Sequence, residues 1–199
     1  ALRLGRQLAG LMPGETEVLG LLALMELQAS RTKARMDGRG NPVLLLEQNR
    51  ARWDHLQIAR GLAALERASG LGGAQQPYAL QAAIAACHAR ARQAADTDWV
   101  RIAALYAALA NVMPSPVVEL NRAVAQGMAY GPEAGLALVE TLANDPALRD
   151  YASLPAVRGD LLQKLGRHEE ARAEFERAAG LTLNARTRAL MLARALACH

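Results

Sequence analysis

Three polar side chains could act together if the fold brought them to one place. His88 and Gln81 stand seven residues apart in PYALQAAIAACHARA, a stretch otherwise rich in Ala, Ile and Leu, and so share one face of a helix. Asp54, in EQNRARWDH (47–55), would supply the carboxylate that orients an imidazole for general acid–base work. A helical enzyme built on His88, Gln81 and Asp54 is therefore one reading, and small-molecule sensing in the same pocket is a softer form of it. The plainer alternative is a core histidine bonded to its neighbours. Elsewhere the chemistry is thin. Glu169 and Glu170 open a helix, where carboxylates complement the dipole, with His168 beside them, and His199 ends the chain. Cys87 reads as a small core residue, and its only counterpart, Cys198, makes no CxxC or Cys/His ligand spacing. Gly-rich phosphate loops, HExxH and GxSxG do not occur in the sequence. Neither a catalytic residue, a metal site nor a cofactor is assigned.

Two further polar groups concern contact instead of catalysis. Arg52 and Asp54 flank Trp53, and residues 31–52 are the most basic part of the chain. Arg and Trp are the residue types that anchor interfaces, although a helix start with its charges in water has the same composition. Asn121 falls on a stripe with Val117, Val124 and Met128, which predicts an inward amide in need of partners. With Arg122 it could also clamp the terminal carboxylate of a bound peptide. Together these residues predict an interaction surface of Arg50, Arg52, Trp53, Asp54 and Arg122. A structural polar network of Gln81, His88, Asp98, Trp99 and Asn121 would hold it, with Asp54 and Asp98 as the nearest carboxylates for Gln81 and His88.

The elements that must position these side chains are helical throughout. In 199 residues that are 52% hydrophobic and 21% charged, apolar side chains recur every three or four positions between Gly and Pro breaks. The spacing predicts an all-α chain with helices over 2–12, 15–33, 50–69, 78–94, 98–113, 116–130, 132–143, 154–165, 168–180 and 185–197. Ser115 is a good N-cap, and Pro116 at a first helical position loses no hydrogen bond. Of the longer breaks, GLGGAQQP has the most backbone freedom. The run VLGLLALM (18–25) lies between Glu17 and Glu26 and is too short for a membrane span of about 20 residues. Cysteine usage fits a cytoplasmic protein. A net charge of +4 is spread over many arginines without a tract, so this chain alone should bind duplex DNA no better than any weakly basic protein.

Repeats refine the all-α reading. LPAVRGDLLQKLGRHEEARAEFERAAGLTLN places Gly159, Leu162, Gly166, Ala171, Phe175 and Ala178 at tetratricopeptide (TPR) spacing, whose period is about 34 residues. Trp99, Ile102, Ala103 and Tyr106 supply the other half of that signature. The expectation is a single domain over 1–199, a TPR-like array of about ten antiparallel helices, irregular in its N-terminal half. Trp99, Ile102, Tyr106, Leu162 and Phe175 should lie in the core.

Five stretches taken in order, LLLEQNRARWD, PYALQAAIAACHARA, DTDWVRIAALYAAL, SPVVELNRAVAQGMAYGPEAGLALVE and LLQKLGRHEEARAEFERAAGLTLN, resemble the C-terminal extension of one group of bacterial extracytoplasmic-function (ECF) sigma factors. These are sigma-70-type transcription factors with an appended TPR-like domain. The resemblance implies a regulatory, protein-interaction domain that modulates transcription initiation. Its partners would be its own sigma regions, lying before Ala1, and core RNA polymerase; promoter DNA would be touched only by those upstream regions, and no membrane is involved. The positions carried over are Gln48, Arg50, Trp53, Asp54, Gln81, His88, Asp98, Trp99, Asn121 and Arg122. The sequence departs from the family's pattern at two positions: Asn49 stands where an acidic residue is usual and Cys87 where an aliphatic one is usual. A free-standing TPR peptide-binding module is the alternative.

Overall fold

A computed structural model describes residues 1–198; His199 lies outside them. The protein is all-α, with ten α-helices among the described residues and a single antiparallel bridge, Met36 to Pro42, as its only extended pairing. No helix among them is long and apolar enough to cross a membrane. Contacts divide the chain into two compact units, residues 1–113 and 114–199.

The first unit holds α1 (Leu2–Leu11), α2 (Thr16–Ala29), α3 (His55–Gly70), α4 (Pro77–Arg90) and α5 (Trp99–Val112). Helix α2 is apolar on every side and packs against α1, α3 and α4, as a buried central helix must. Two glycines let the backbones approach. A Cβ on Gly20 would lie 2.8 Å from the Ala79 nitrogen of α4, and one on Gly61 of α3 would lie 2.7 Å from Leu27 Cγ. Glu26 is buried on α2, and Arg6 of α1 neutralises it with two hydrogen bonds of 2.6 and 3.0 Å. The GLGGAQQP break is braced: Gly73 N–H donates to Ala68 O, Thr16 and Gln76 side chains bond each other, and Tyr78 N–H donates to a Glu17 carboxylate oxygen.

The expected helix 15–33 stops at Ala29, and the expected start at Arg50 is delayed to His55. The intervening chain runs through short 3-10 turns at Thr32–Ala34, Leu45–Glu47 and Arg50–Arg52. Asp54 explains the late start. Its carboxylate accepts from Leu56 and Gln57 N–H as the N-cap of α3, so the residues before it lie outside the helix.

The second unit stacks α6 (Pro116–Tyr130), α7 (Pro132–Leu142), α8 (Ser153–Lys164), α9 (His168–Leu181) and α10 (Ala185–Leu196), each packed on the next. Helices α6 and α7 cross where a Cβ on Gly135 would meet the Ala123 carbonyl oxygen at 2.7 Å. Helices α8 and α9 meet where Phe175, wholly buried, lies against Gly159. Between them Gly166 takes φ +73, and Arg167 N–H returns to Leu162 O, the bond that closes a helix C-terminus. Ile102 and Leu162 are fully buried as expected. Trp99 and Tyr106 are only partly buried, although Ile102 and Ala103 of the same signature are buried.

Candidate functional site

Arg50, expected on a surface, is buried to 9% exposure. One terminal nitrogen donates to His88 O at 2.5 Å and Ala91 O at 2.9 Å, and the other to Thr97 Oγ1 at 3.1 Å. The first two acceptors are carbonyls at the C-terminal end of α4, where the helix has no donors of its own left and its dipole favours a cation. Burial pulls the guanidinium below its ordinary pKa, partly offset by Asp96. The planar fork reaches partners 38, 41 and 47 residues away, and so ties the irregular segment before α3 to the end of α4 and the turn leading to α5.

Trp53 is also buried, at 4% exposure, with Arg50 5.1 Å and Arg31 6.0 Å from its ring centroid. It anchors the core of the first unit together with Ala23, Leu27 and Ile58, not a partner. Arg31 is drawn down to about 10 by burial, then by Arg35. Arg52 is exposed, as expected for a presented side chain. Arg122 is partly buried and pairs with Glu119 at 2.7 Å, one turn away on the same helix.

The expected network does not form. Gln81 donates to Pro77 O in its own helix at 3.3 Å. Asp54 caps α3, and Asp98 caps α5 by accepting from Arg101 N–H at 2.9 Å. His88 therefore has no carboxylate: its Nδ1 is buried without a hydrogen-bond partner, and its ring meets Trp99 edge-on at 5.2 Å. Burial first, then the charges of Arg50 and Arg31, hold the imidazole at about 4, so it is neutral near pH 7. No hydrogen bond joins His88 to Gln81 or Asp54. Asn121 is exposed on α6 in the second unit, since the buried stripe there runs through Val118, Ala123 and Ala125.

Residues 1–69 match a family of unknown function, DUF6596. That span covers α1, α2, the irregular segment and most of α3, with Arg50, Trp53 and Asp54 inside it. Over 185 residues, 93% of the chain, the protein is 48% identical to an uncharacterized protein of Rhizobium meliloti (strain 1021). The chain spans 43% of that relative's length. No solved structure matches it.

Around the Arg50 brace the surface forms two clefts. One, of about 350 Å³, is lined by Arg50, Trp53, His55, Ile58, Arg90 and Arg92 among others. The other, of about 320 Å³, shares Arg90, Ala91 and Arg92 and adds Cys87, Asp96, Asp98 and Arg101. Burial raises the Cys87 thiol above its ordinary pKa, which keeps it protonated and inert. Sequence reasoning passed over Arg90, Arg92 and Arg101. The signal that would have found them is the ARAR run at a helix end whose nearest acids have other work: Asp96 forms a reciprocal cap with Gln93, and Asp98 caps α5.

Proposed function

We propose that the protein is the regulatory, protein-interaction domain of an ECF-type sigma factor, acting on transcription initiation through its own sigma regions or RNA polymerase in the cytoplasm. One observation carries this reading. Three of the five resembling stretches converge on the Arg50 brace: Arg50 and Trp53 come from the first, His88 and Ala91 from the second, and Thr97 and Trp99 lie in or beside the third. Four of the positions recognised by resemblance, Arg50, Trp53, His88 and Trp99, thus meet in one corner of the first unit. More than half of the Rhizobium meliloti relative lies outside the match, a length that could hold sigma regions.

The test is transcription by the longer protein with and without this domain, from a promoter found by mapping its transcripts. Removal is expected to change initiation several-fold while the remaining protein still binds polymerase. Unaltered initiation would refute the reading, as would sequence-specific promoter binding by the 199-residue chain alone at physiological salt.

A further inference from the structure

We propose that the cleft lined by Arg50, Trp53, Ile58, Ala89, Arg90 and Arg92 is a docking site for an acidic peptide segment of a partner protein, with aliphatic or aromatic residues set between its carboxylates. The inference deepens the interaction reading above and rests on it. Arg90 and Arg92 are exposed, and neither forms an ion pair among the described residues. The dipole of α4 calls for a cation at its C-terminus, but Arg50 already fills that place, which leaves the other two over. No Asp or Glu lines this cleft; besides the three arginines its walls are His55, Trp53, Ile58 and three alanines. Such a surface takes a carboxylate at the rim and an apolar side chain against the wall.

Nucleic acid fits less well. A phosphate backbone running past Arg90 and Arg92 would enter the adjoining cleft, where Asp96 and Asp98 repel it. About 350 Å³ also suits a few side chains better than a run of stacked bases. The groups on offer at the cleft's rim are the exposed guanidiniums of Arg90 and Arg92. Its wall is also fixed in advance, because Arg50 is held by three acceptors of the protein's own.

Fluorescence anisotropy on the 199-residue chain tests the site with three probes: a short labelled peptide alternating Glu and Leu, its Gln-for-Glu counterpart, and single-stranded oligo-dT. The Glu–Leu peptide should bind best, and Arg90→Glu with Arg92→Glu should weaken it by about tenfold or more. Arg60→Glu, on an exposed face of α3 outside the cleft, should leave binding unchanged, and circular dichroism should show both variants folded. Equal binding of the Gln peptide, tighter binding of oligo-dT, or an undiminished double variant would overturn the site. Failures of the two proposals remain distinct. If removing the domain leaves transcription unchanged while the peptide still binds through Arg90 and Arg92, the regulatory reading falls and the site stands. If removal changes transcription but the double variant keeps its peptide affinity, the site falls alone.

Discussion

Residues 1–113 contain 13 Lys and Arg against 9 Asp and Glu, whereas residues 114–199 contain 10 of each, so the net charge of +4 resides wholly in the first unit. The difference extends to how the charges are used. The second unit is laced with ion pairs: Arg158 reaches Glu140 and Glu174, Arg194 and Lys164 share Asp160, and Arg122, Arg167, Arg172 and Arg177 each pair with a glutamate three or four residues away. In the first unit Arg6 pairs with Glu26, while Arg50 donates to two carbonyls and a hydroxyl. The second unit is a self-neutral stack of hairpins held by apolar crossings. The first unit is joined by a single buried cation and leaves others uncompensated, which is the condition for electrostatic recruitment of an acidic partner.

The comparison is broken most forcefully at Phe175. Its ring is wholly buried against Gly159, so Phe175→Ala should cost the second unit about 3–5 kcal/mol and lower its thermal midpoint by circular dichroism. The counterpart in the first unit is polar. Arg50→Ala strands two carbonyls and a hydroxyl in a buried corner and should cost roughly 3 kcal/mol in denaturant titration. Arg50→Lys should rescue little, because an ammonium lacks the fork that reaches all three acceptors. Equal stability of Arg50→Ala and the parent chain would remove the brace from the account.

These two residues also mark what could be read in advance. The position of Phe175 follows from spacing alone, since Gly159, Leu162, Ala171 and Ala178 dictate where one large side chain must fill a helix crossing. Every helix was legible for the same reason, and the boundaries failed chiefly around residues 30–54, where 3-10 turns carry no apolar period. Arg50 was legible as a residue of interest but not in its role, because its acceptors are backbone carbonyls about forty residues on, and a carbonyl has no signature in sequence. Asn121 departs from its expected inward place because α6 is apolar on more than one side; Val117, on the same stripe, is 38% exposed. Asp54 and Asp98 could have been recognised as N-caps from their place just before helical periods, which would have removed both from the expected network.

A pH titration sharpens the comparison next. The imidazole of His88 is held at about 4 in the folded first unit and returns to 6.5 on unfolding. Between those values the unfolded chain binds a proton that the folded chain refuses, so stability is complete above pH 6.5 and falls as pH drops toward 4, by up to roughly 3 kcal/mol. The difference in thermal midpoint between the parent and His88→Gln should therefore grow in favour of the variant across that window. A constant difference from pH 7 to 4 would show that burial does not depress this histidine.

The smallest effects belong to residues expected to matter and found in solvent. Arg52 is exposed just before the cap of α3, and no ion pair involves it among the described residues. Asn121 is exposed on α6, with no buried partner to strand. Arg52→Ala and Asn121→Ala should each change unfolding free energy by less than about 0.5 kcal/mol, against the 1–3 kcal/mol that a buried, networked amide would lose. Chemical denaturation of the two variants decides the matter. A loss above 1 kcal/mol for Asn121→Ala would mean that α6 turns its other face inward, and the contrast between a cation-braced first unit and an apolar second one would have to be redrawn around a polar α6.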